Sequence, residues 1–234
     1  MDIKDKAVVI TGGSSGLGKA LAEVFKNAGG QVLICSNNQA ELNQTAQELG
    51  VEGVVCDITD PEEVKKLAEE TAKKFGRIDI WINNAGVGNH HTAIEDQEPA
   101  RVHQMMEVNF FGMMYGCQDA FRVMKNQKSG TIINVVSVRA MKAHPLSAGY
   151  SATKWAARGF AEALRVAGET EDISVINVYP TGMKTEFFNK NKPEDYGNFL
   201  EPKDVATQIL KNLELDNPQD DLVIESTALY PSKT

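Results

Sequence analysis

Positive charge is in short supply in this 234-residue chain: 24 Lys and Arg stand against 32 Asp and Glu, a net charge of −8. Such a surface repels phosphate backbones, which excludes nucleic acid as a partner class. Cysteine is scarce too. Cys35, Cys56 and Cys117 are odd in number and not closely spaced, so they are not a disulfide framework. They fit a reducing compartment as small buried thiols, with Cys35 and Cys56 read as inert core residues closing neighbouring strands. Of the four histidines, His90 and His91 follow Asn89. Adjacent histidines point apart in a strand, and no nearby cysteine or acidic cluster completes a ligand set, so no metal is expected. No apolar run is long enough for a membrane span, and none precedes the first glycines of MDIKDKAVVITGG as a secretory signal would. The expectation is a cytoplasmic protein with no membrane partner. No repeat, low-complexity tract or linker is visible either.

What is present is an ordinary globular mixture, 42% apolar and 24% charged. The length suits one α/β domain with a large core and is too short for two ordinary enzyme domains. Short β-rich runs alternate with helix-like segments. Strands are expected at Ala7–Thr11, Gln31–Cys35, Val51–Cys56, Ile78–Ile82, Thr131–Val136, Ile173–Val178 and Leu222–Ile224. Helices are expected at Leu17–Asn27, Ala40–Leu49, Pro61–Phe75, Ala100–Met124, Gly149–Ala167 and Pro202–Leu215. Asp60 is placed to cap the third, with Pro61 in its first turn and Glu63 at the capping-box position. The strand Thr131–Val136 is apolar without alternation, as a strand covered on both faces is. Strand–helix alternation with right-handed crossovers gives a Rossmann-type, doubly wound parallel sheet flanked by helices, in one domain spanning residues 1–234.

Two local patterns carry chemistry. Thr11-Gly12-Gly13-Ser14-Ser15-Gly16-Leu17-Gly18 follows a strand and opens a helix, where glycines let the backbone turn sharply and approach a pyrophosphate seated on the helix N-terminus. Its spacing is not the usual G-x-G-x-x-G. Tyr150 and Lys154 lie four apart on one helix face. A phenol is a poor base at neutral pH. An ammonium about 5 Å away, at an effective dielectric of about 20, favours the phenolate by about 3 kcal/mol, or roughly two pK units. Tyr150 is thereby expected to exchange a proton with a substrate oxygen. Ser137 closes a strand on the side where open α/β sheets bind ligands, and its hydroxyl can donate to a developing alkoxide. Asn109 is polar within the apolar stretch Val108–Gly112, so burial requires a hydrogen-bonded reason.

Taken in order, Thr11-Gly12-x-x-x-Gly16-x-Gly18, Asn83-Asn84-Ala85-Gly86, Asn109, Ser137 and Tyr150-x-x-x-Lys154 resemble the short-chain dehydrogenase/reductase family, over about Lys6 to Ile224. The resemblance implies a nicotinamide-dependent oxidoreductase that moves a hydride between its cofactor and a carbonyl or alcohol. It implies a catalytic set of Asn109, Ser137, Tyr150 and Lys154, in which Ser137 positions the carbonyl and Asn109 holds a water near Lys154. For Asn109 a local adjustment of the helix backbone is the other reading. The cofactor would lie on Gly12, Ser14, Ser15, Gly16, Leu17 and Gly18, with Ser36 and Asn37 at the adenosine ribose. Asp57 and Ile58 would meet the adenine, although Asp57 also reads as a turn or capping residue. Asn84, Ala85 and Gly86 would line the adenosine side, Asn83 would steady the sheet, and Lys154 would reach the nicotinamide ribose.

After the sixth strand the family has Pro-Gly where this chain has Pro180-Thr181-Gly182-Met183-Lys184-Thr185. Pro180, Gly182, Met183 and Thr185 still carry over as cofactor contacts, with Thr185 on the carboxamide. The shape around Thr181 is left open. Polar Phe187–Leu200 looks like a substrate lid. No acid stands at Ser36, where one would bond both ribose hydroxyls, so NADP is favoured over NAD, with Lys19 a candidate to assist. Arg139 and His144 read equally as substrate contacts or solvated loop residues, and one of His90 and His91 is a candidate for the substrate pocket. Apolar residues on more than one side of the Ala100–Met124 and Gly149–Ala167 helices imply a homo-oligomer, tetramer or dimer. A cofactor-binding regulator or scaffold without turnover is the rival reading of the same fold. The substrate is beyond the sequence.

Overall fold

The computed structural model describes residues 1–88, 92–188 and 192–226. Seven parallel strands form one sheet: β1 (Ala7–Thr11), β2 (Gln31–Ser36), β3 (Glu52–Val55), β4 (Ile80–Asn83), β5 (Gly130–Val135), β6 (Ile173–Pro180) and β7 (Asp221–Ile224). Their spatial order is β3-β2-β1-β4-β5-β6-β7. The chain winds outward in one direction from β1 and then in the other from β4, so the switch point lies between these two strands. The helices are α1 (Gly16–Asn27), α2 (Gln39–Leu49), α3 (Pro61–Phe75), α4 (Pro99–Met106), α5 (Met113–Gln127), α6 (Ala148–Glu169) and α7 (Pro202–Glu214).

The sheet is buried on both faces because successive strand residues feed two separate cores. Val8, Ile10, Ile34, Ile82 and Ile133 pack with Leu21 and Phe25 of α1, Leu42 of α2 and Ile209 of α7. Val9, Leu33, Trp81, Ile132 and Tyr179 pack with Leu67 of α3, Met124 of α5 and Ala157 of α6. Each fully buried aliphatic side chain stabilises the fold by roughly 1.5–3 kcal/mol relative to exposure. Among the described residues, no helix is long and apolar enough to cross a membrane.

Besides shifts of a few residues at element ends, details depart from the sequence reading. Asp60 does cap α3, accepting from Glu62 N at 2.9 Å and Glu63 N at 3.4 Å. Glu63, however, does not complete a capping box: its carboxylate accepts from Asp57 N at 2.7 Å, while Asp60 N donates to Asp57 O. The expected single helix over Ala100–Met124 is interrupted by a π-helical segment, Glu107–Gly112, between α4 and α5. The segment contains Asn109, whose side chain bonds partners outside the helix, Val87 and Thr153. β6 also runs two residues further than expected, to Pro180.

A row of buried polar side chains crosses the sheet near its C-terminal edge. Trp81 Nε1 donates to Asn83 Oδ1 at 2.7 Å, Asn83 Nδ2 to Asn134 Oδ1 at 3.0 Å, and Asn134 Nδ2 to Asn177 Oδ1 at 3.1 Å. The three asparagines occupy paired positions on β4, β5 and β6. Helix α5 crosses this row so closely that a Cβ on Gly116 would lie 2.2 Å from Asn83 Oδ1. Only glycine fits there.

Candidate active site

All seven strands point the same way, so their C-terminal ends open onto one side of the sheet. A cavity of about 850 Å³ lies there. It is lined by every residue that the sequence nominated for the cofactor and by Ser137, Tyr150 and Lys154 of the nominated catalytic set. Asn109 does not line it.

The glycine turn forms the floor at the switch point. Gly12 has φ +63°, and a Cβ there would lie 2.8 Å from Ala85 Cα, so the turn can close onto the β4 loop only without a side chain. Thr11 Oγ1 accepts from Asn84 N and Ala85 N at 3.0 and 3.1 Å, and Asn84 Nδ2 donates to Thr11 O and Gly12 O at 2.9 and 3.1 Å. Asn84 thus ties the two strand ends together. Helix α1 begins at this turn with no side-chain cap and no acid in its first turn. Its first N–H groups and the positive end of its dipole are therefore suited to an anion in the cavity. That donor set fits the pyrophosphate of a dinucleotide.

At the β2 end, Ser14 Oγ donates to Ser36 Oγ at 3.0 Å, and Ser36 Oγ also accepts from Asn38 N at 3.1 Å. Lys19 does not reach this point; its ammonium is held by Glu48 at 2.7 Å. Asp57 lines the cavity and is also a turn residue, accepting from Thr59 N and Thr59 Oγ1 at 2.9 and 2.8 Å. Cys35 and Cys56 are buried free thiols. A hydrogen bond that the Cys35 thiol donates to Cys56, together with burial, pushes Cys35 well above its ordinary range, as befits an unreactive pair.

Tyr150 and Lys154 sit on the first turns of α6, facing the end of β5. Lys154 is 6% exposed; its Nζ donates to Val135 O at 3.2 Å and lies 5.8 Å from the Tyr150 ring centroid. The Ser137 side chain lies beside the Tyr150 phenol and favours its ionised form. Here the expected electrostatics are corrected. Burial pushes the phenol up to about 12, against the opposing effects of the Ser137 side chain and the Arg139 charge. Burial likewise lowers Lys154 to about 8. In the protein without ligand, desolvation outweighs the attraction between ammonium and phenolate, although part of the tyrosine ring is open to the cleft. The phenol is thus a proton donor at neutral pH.

Asn109 is 2% exposed and bonded on both sides of its amide. Oδ1 accepts from Val87 N at 2.8 Å, while Nδ2 donates to Val87 O at 2.8 Å and to Thr153 Oγ1 at 3.1 Å. It joins the loop after β4 to the residue preceding Lys154. Thr153, which donates to Tyr150 O at 2.8 Å, was not singled out from the sequence, and nothing in its local pattern marks it.

The open question around Thr181, the residue just past β6, is settled by bonds to the end of β7 and the residues after it. Thr181 N donates to Ile224 O at 3.0 Å and its hydroxyl accepts from Ser226 N at 3.3 Å. Glycine falls one place later because the Phe199 ring covers Gly182, where a Cβ would meet it at 2.5 Å. Leu200 N bonds Gly182 O and Lys184 N bonds Leu200 O, both at 2.9 Å. The polar segment is therefore anchored at its end. Within it Glu194–Asn198 forms a short 3-10 turn. Phe187 packs edge-on against Tyr150, with centroids 5.9 Å apart. Residues 189–191 of that segment, and Asn89, His90 and His91, lie outside the described residues. Arg139 and His144 both line the cavity. So do Val87, Val108, Lys142 and Phe199, which were not singled out from the sequence; their types are ordinary for loops and cores, and only the fold brings them here.

The chain is similar to known proteins over nearly its whole length. The family model described as short chain dehydrogenase matches residues 6–196. An uncharacterized oxidoreductase of Staphylococcus saprophyticus is 32% identical over 239 residues, covering 96% of this chain and 95% of the relative. Among solved structures, ElxO with NADP bound is 25% identical, with a TM-score of 0.87 over 96% of this chain and 98% of that one. A 3-ketoacyl-(acyl-carrier-protein) reductase from Brucella melitensis complexed with NADH is 26% identical, with the same TM-score and coverages.

The Lys154 site yields a stability prediction. Its folded value of about 8 lies below its ordinary 10.5, so the unfolded chain binds more protons between these limits and stability rises with pH across them. At pH 7 the whole penalty is present, about 3 kcal/mol at most. Lys154→Met is therefore expected to raise the unfolding free energy of the ligand-free protein at pH 7 more than at pH 10. Urea unfolding of both proteins at the two pH values checks this; an equal change at both would show that the ammonium is not strained by burial.

Proposed function

The chain belongs to the short-chain dehydrogenase family, and on that premise we propose that it moves a hydride between a nicotinamide cofactor and a carbonyl or secondary alcohol, with Tyr150 as the acid/base. One observation carries this reading: a protonated phenol beside Ser137, with Lys154 next to it, shares a cleft with the uncapped N-terminus of α1. The nicotinamide, when bound, supplies or accepts the hydride. In the reducing direction Tyr150 gives its proton to the substrate oxygen as that oxygen gains charge. Ser137 donates a hydrogen bond to the same oxygen. The Lys154 ammonium stabilises the phenolate left behind. Asn109 acts as a positioning residue through Val87 and Thr153, and the segment Phe187–Leu200 acts as the lid over the substrate.

Tyr150→Phe tests the assignment. It removes the proton donor and leaves the ring, so fold and cofactor affinity should persist while kcat falls by roughly 10²–10⁴-fold. Turnover within a factor of ten of wild type would exclude Tyr150 as the acid/base.

For the cofactor we propose a preference for NADP(H). ElxO is a structural neighbour with NADP and the Brucella reductase one with NADH, so relatives alone do not choose. The β2 end presents Ser36, Asn37 and Asn38, whose hydroxyl, amides and backbone N–H groups can meet a phosphate. Glu41 lines the same cavity, and Lys19 is held by Glu48, which limits the preference. The ratio of kcat/KM for NADPH over NADH should exceed one; a ratio at or below one rules the preference out.

The same reading includes self-association through α4, α5 and α6. On α6, Trp155 and Val166 are 50% and 65% exposed, and Phe160 packs edge-on against Phe110 of the π segment. Light scattering at micromolar concentration should give a dimer or tetramer, and a monomer alone would contradict it.

A further inference from the structure

We propose that Arg139 selects a carbonyl substrate carrying a carboxylate, an oxo acid, by holding that carboxylate beside Ser137 and Tyr150. This rests on the proposed carbonyl reduction and adds a substrate class to it. Arg139 sits in the middle of a one-turn 3-10 helix, Val138–Ala140, that begins directly after Ser137. The turn is pinned on each side. Arg139 N donates to Ser137 Oγ at 3.1 Å, Ala140 N donates to Ser137 O at 3.0 Å, and Arg158 of α6 donates to Ala140 O at 3.3 Å. Ala140 itself is fully buried. The backbone that launches the Arg139 side chain is therefore fixed relative to the reacting groups.

Arg139 is half-buried and lines the cavity, and its guanidinium has no hydrogen-bond or ion-pair partner among the described residues. It differs in this from the other arginines of the chain. Arg77 pairs with Asp79, Arg122 with Asp119, Arg158 with Glu162, Arg165 with Asp221, and Arg101 bonds Gly88 O. Acids do line the cavity, but on other segments: Glu41 on α2, Asp57 after β3, and Glu186 and Asp195 after β6. None pairs with Arg139. A planar fork of donors, partly desolvated and left open, matches a carboxylate in two parallel hydrogen bonds. Its charge also reaches the Tyr150 phenol, where it favours the phenolate. A substrate anion seated there would be close to the carbonyl that Tyr150 protonates. In the reaction the carbonyl carbon gains the hydride and its oxygen the tyrosine proton, giving a hydroxy acid, while the carboxylate is unchanged.

The test pairs short oxo acids with their methyl esters and with ketones of similar size bearing an ammonium group. Calorimetric binding to the cofactor-saturated enzyme is read alongside turnover. The acids should bind roughly tenfold to a hundredfold more tightly than their esters. Arg139→Ala should abolish that ratio and Arg139→Lys should retain part of it. Equal binding of acid and ester, tighter binding of the ammonium ketones, or an unchanged ratio in Arg139→Ala would overturn the assignment. Turnover separates the two readings. Reduction of neutral ketones with no acid preference would leave the oxidoreductase reading standing and remove this one. Selective binding of acids without turnover of any compound would keep Arg139 as an anion site and remove the reductase reading.

Discussion

Three strand ends have to arrive together for the cleft to exist, and the row Trp81–Asn83–Asn134–Asn177 holds them in register. It joins β4, β5 and β6 a few residues before they release the Asn84–Gly86 turn, Ser137 and the loop from Pro180 to Thr185. These amides are buried between a parallel sheet and α5, so each unpaired group would cost about 1–3 kcal/mol. A slip of one residue would move a strand's asparagine to the opposite face and leave its neighbour without a partner. Hydrophobic side chains alone would tolerate several registers on a sheet covered on both sides; the asparagines allow one. Gly116 belongs to the same constraint, since any larger residue would push α5 off the row.

The ends so held are then tied to the helices that bear the proposed site residues. Asn84 fastens the β4 end to the glycine turn, and Asn109 fastens the loop after β4 to Thr153 on α6. Tyr150 and Lys154 consequently stand on a helix whose distance from the sheet is set by buried hydrogen bonds. The same burial sets their protonation. A phenol raised to about 12 and an ammonium lowered to about 8 describe a cleft that disfavours both charges until something occupies it. Charge brought by a ligand therefore acts on groups already displaced from their ordinary values, in surroundings where Coulomb interactions are stronger than in water.

The parallel fold was legible because its determinants are local and repetitive. Apolar runs without alternation, helix spacing between them, and the cap at Asp60 with its following proline all recur within a few residues. That the nominated cofactor residues line one cavity has a related reason: strand-end turns must lie on one side of a parallel sheet, and the glycine and asparagine turns mark those ends. Glu63 shows where local reading stops. Its position fits a capping box, yet its carboxylate finds Asp57 N, because the turn after β3 brings that N–H within reach. The π segment was hidden for the same reason, since the partners that its Asn109 bonds lie 22 and 44 residues away.

By itself, the sequence determined the sheet and its helices, the glycine turn between β1 and α1, and the pairing of Tyr150 with Lys154 on one helix, because periodicity and turn chemistry act over short spans of chain. Tertiary structure alone decided which of those groups are charged, since that depends on how completely distant elements exclude water from Tyr150 and Lys154. It also decided that Lys19 is held by Glu48 away from Ser36, that Thr181 bonds Ile224 and Ser226 while Gly182 lies beneath Phe199, and that Arg139 is left open beside the phenol. Each of these is settled by which surfaces meet across the fold, and no short stretch of sequence contains that information.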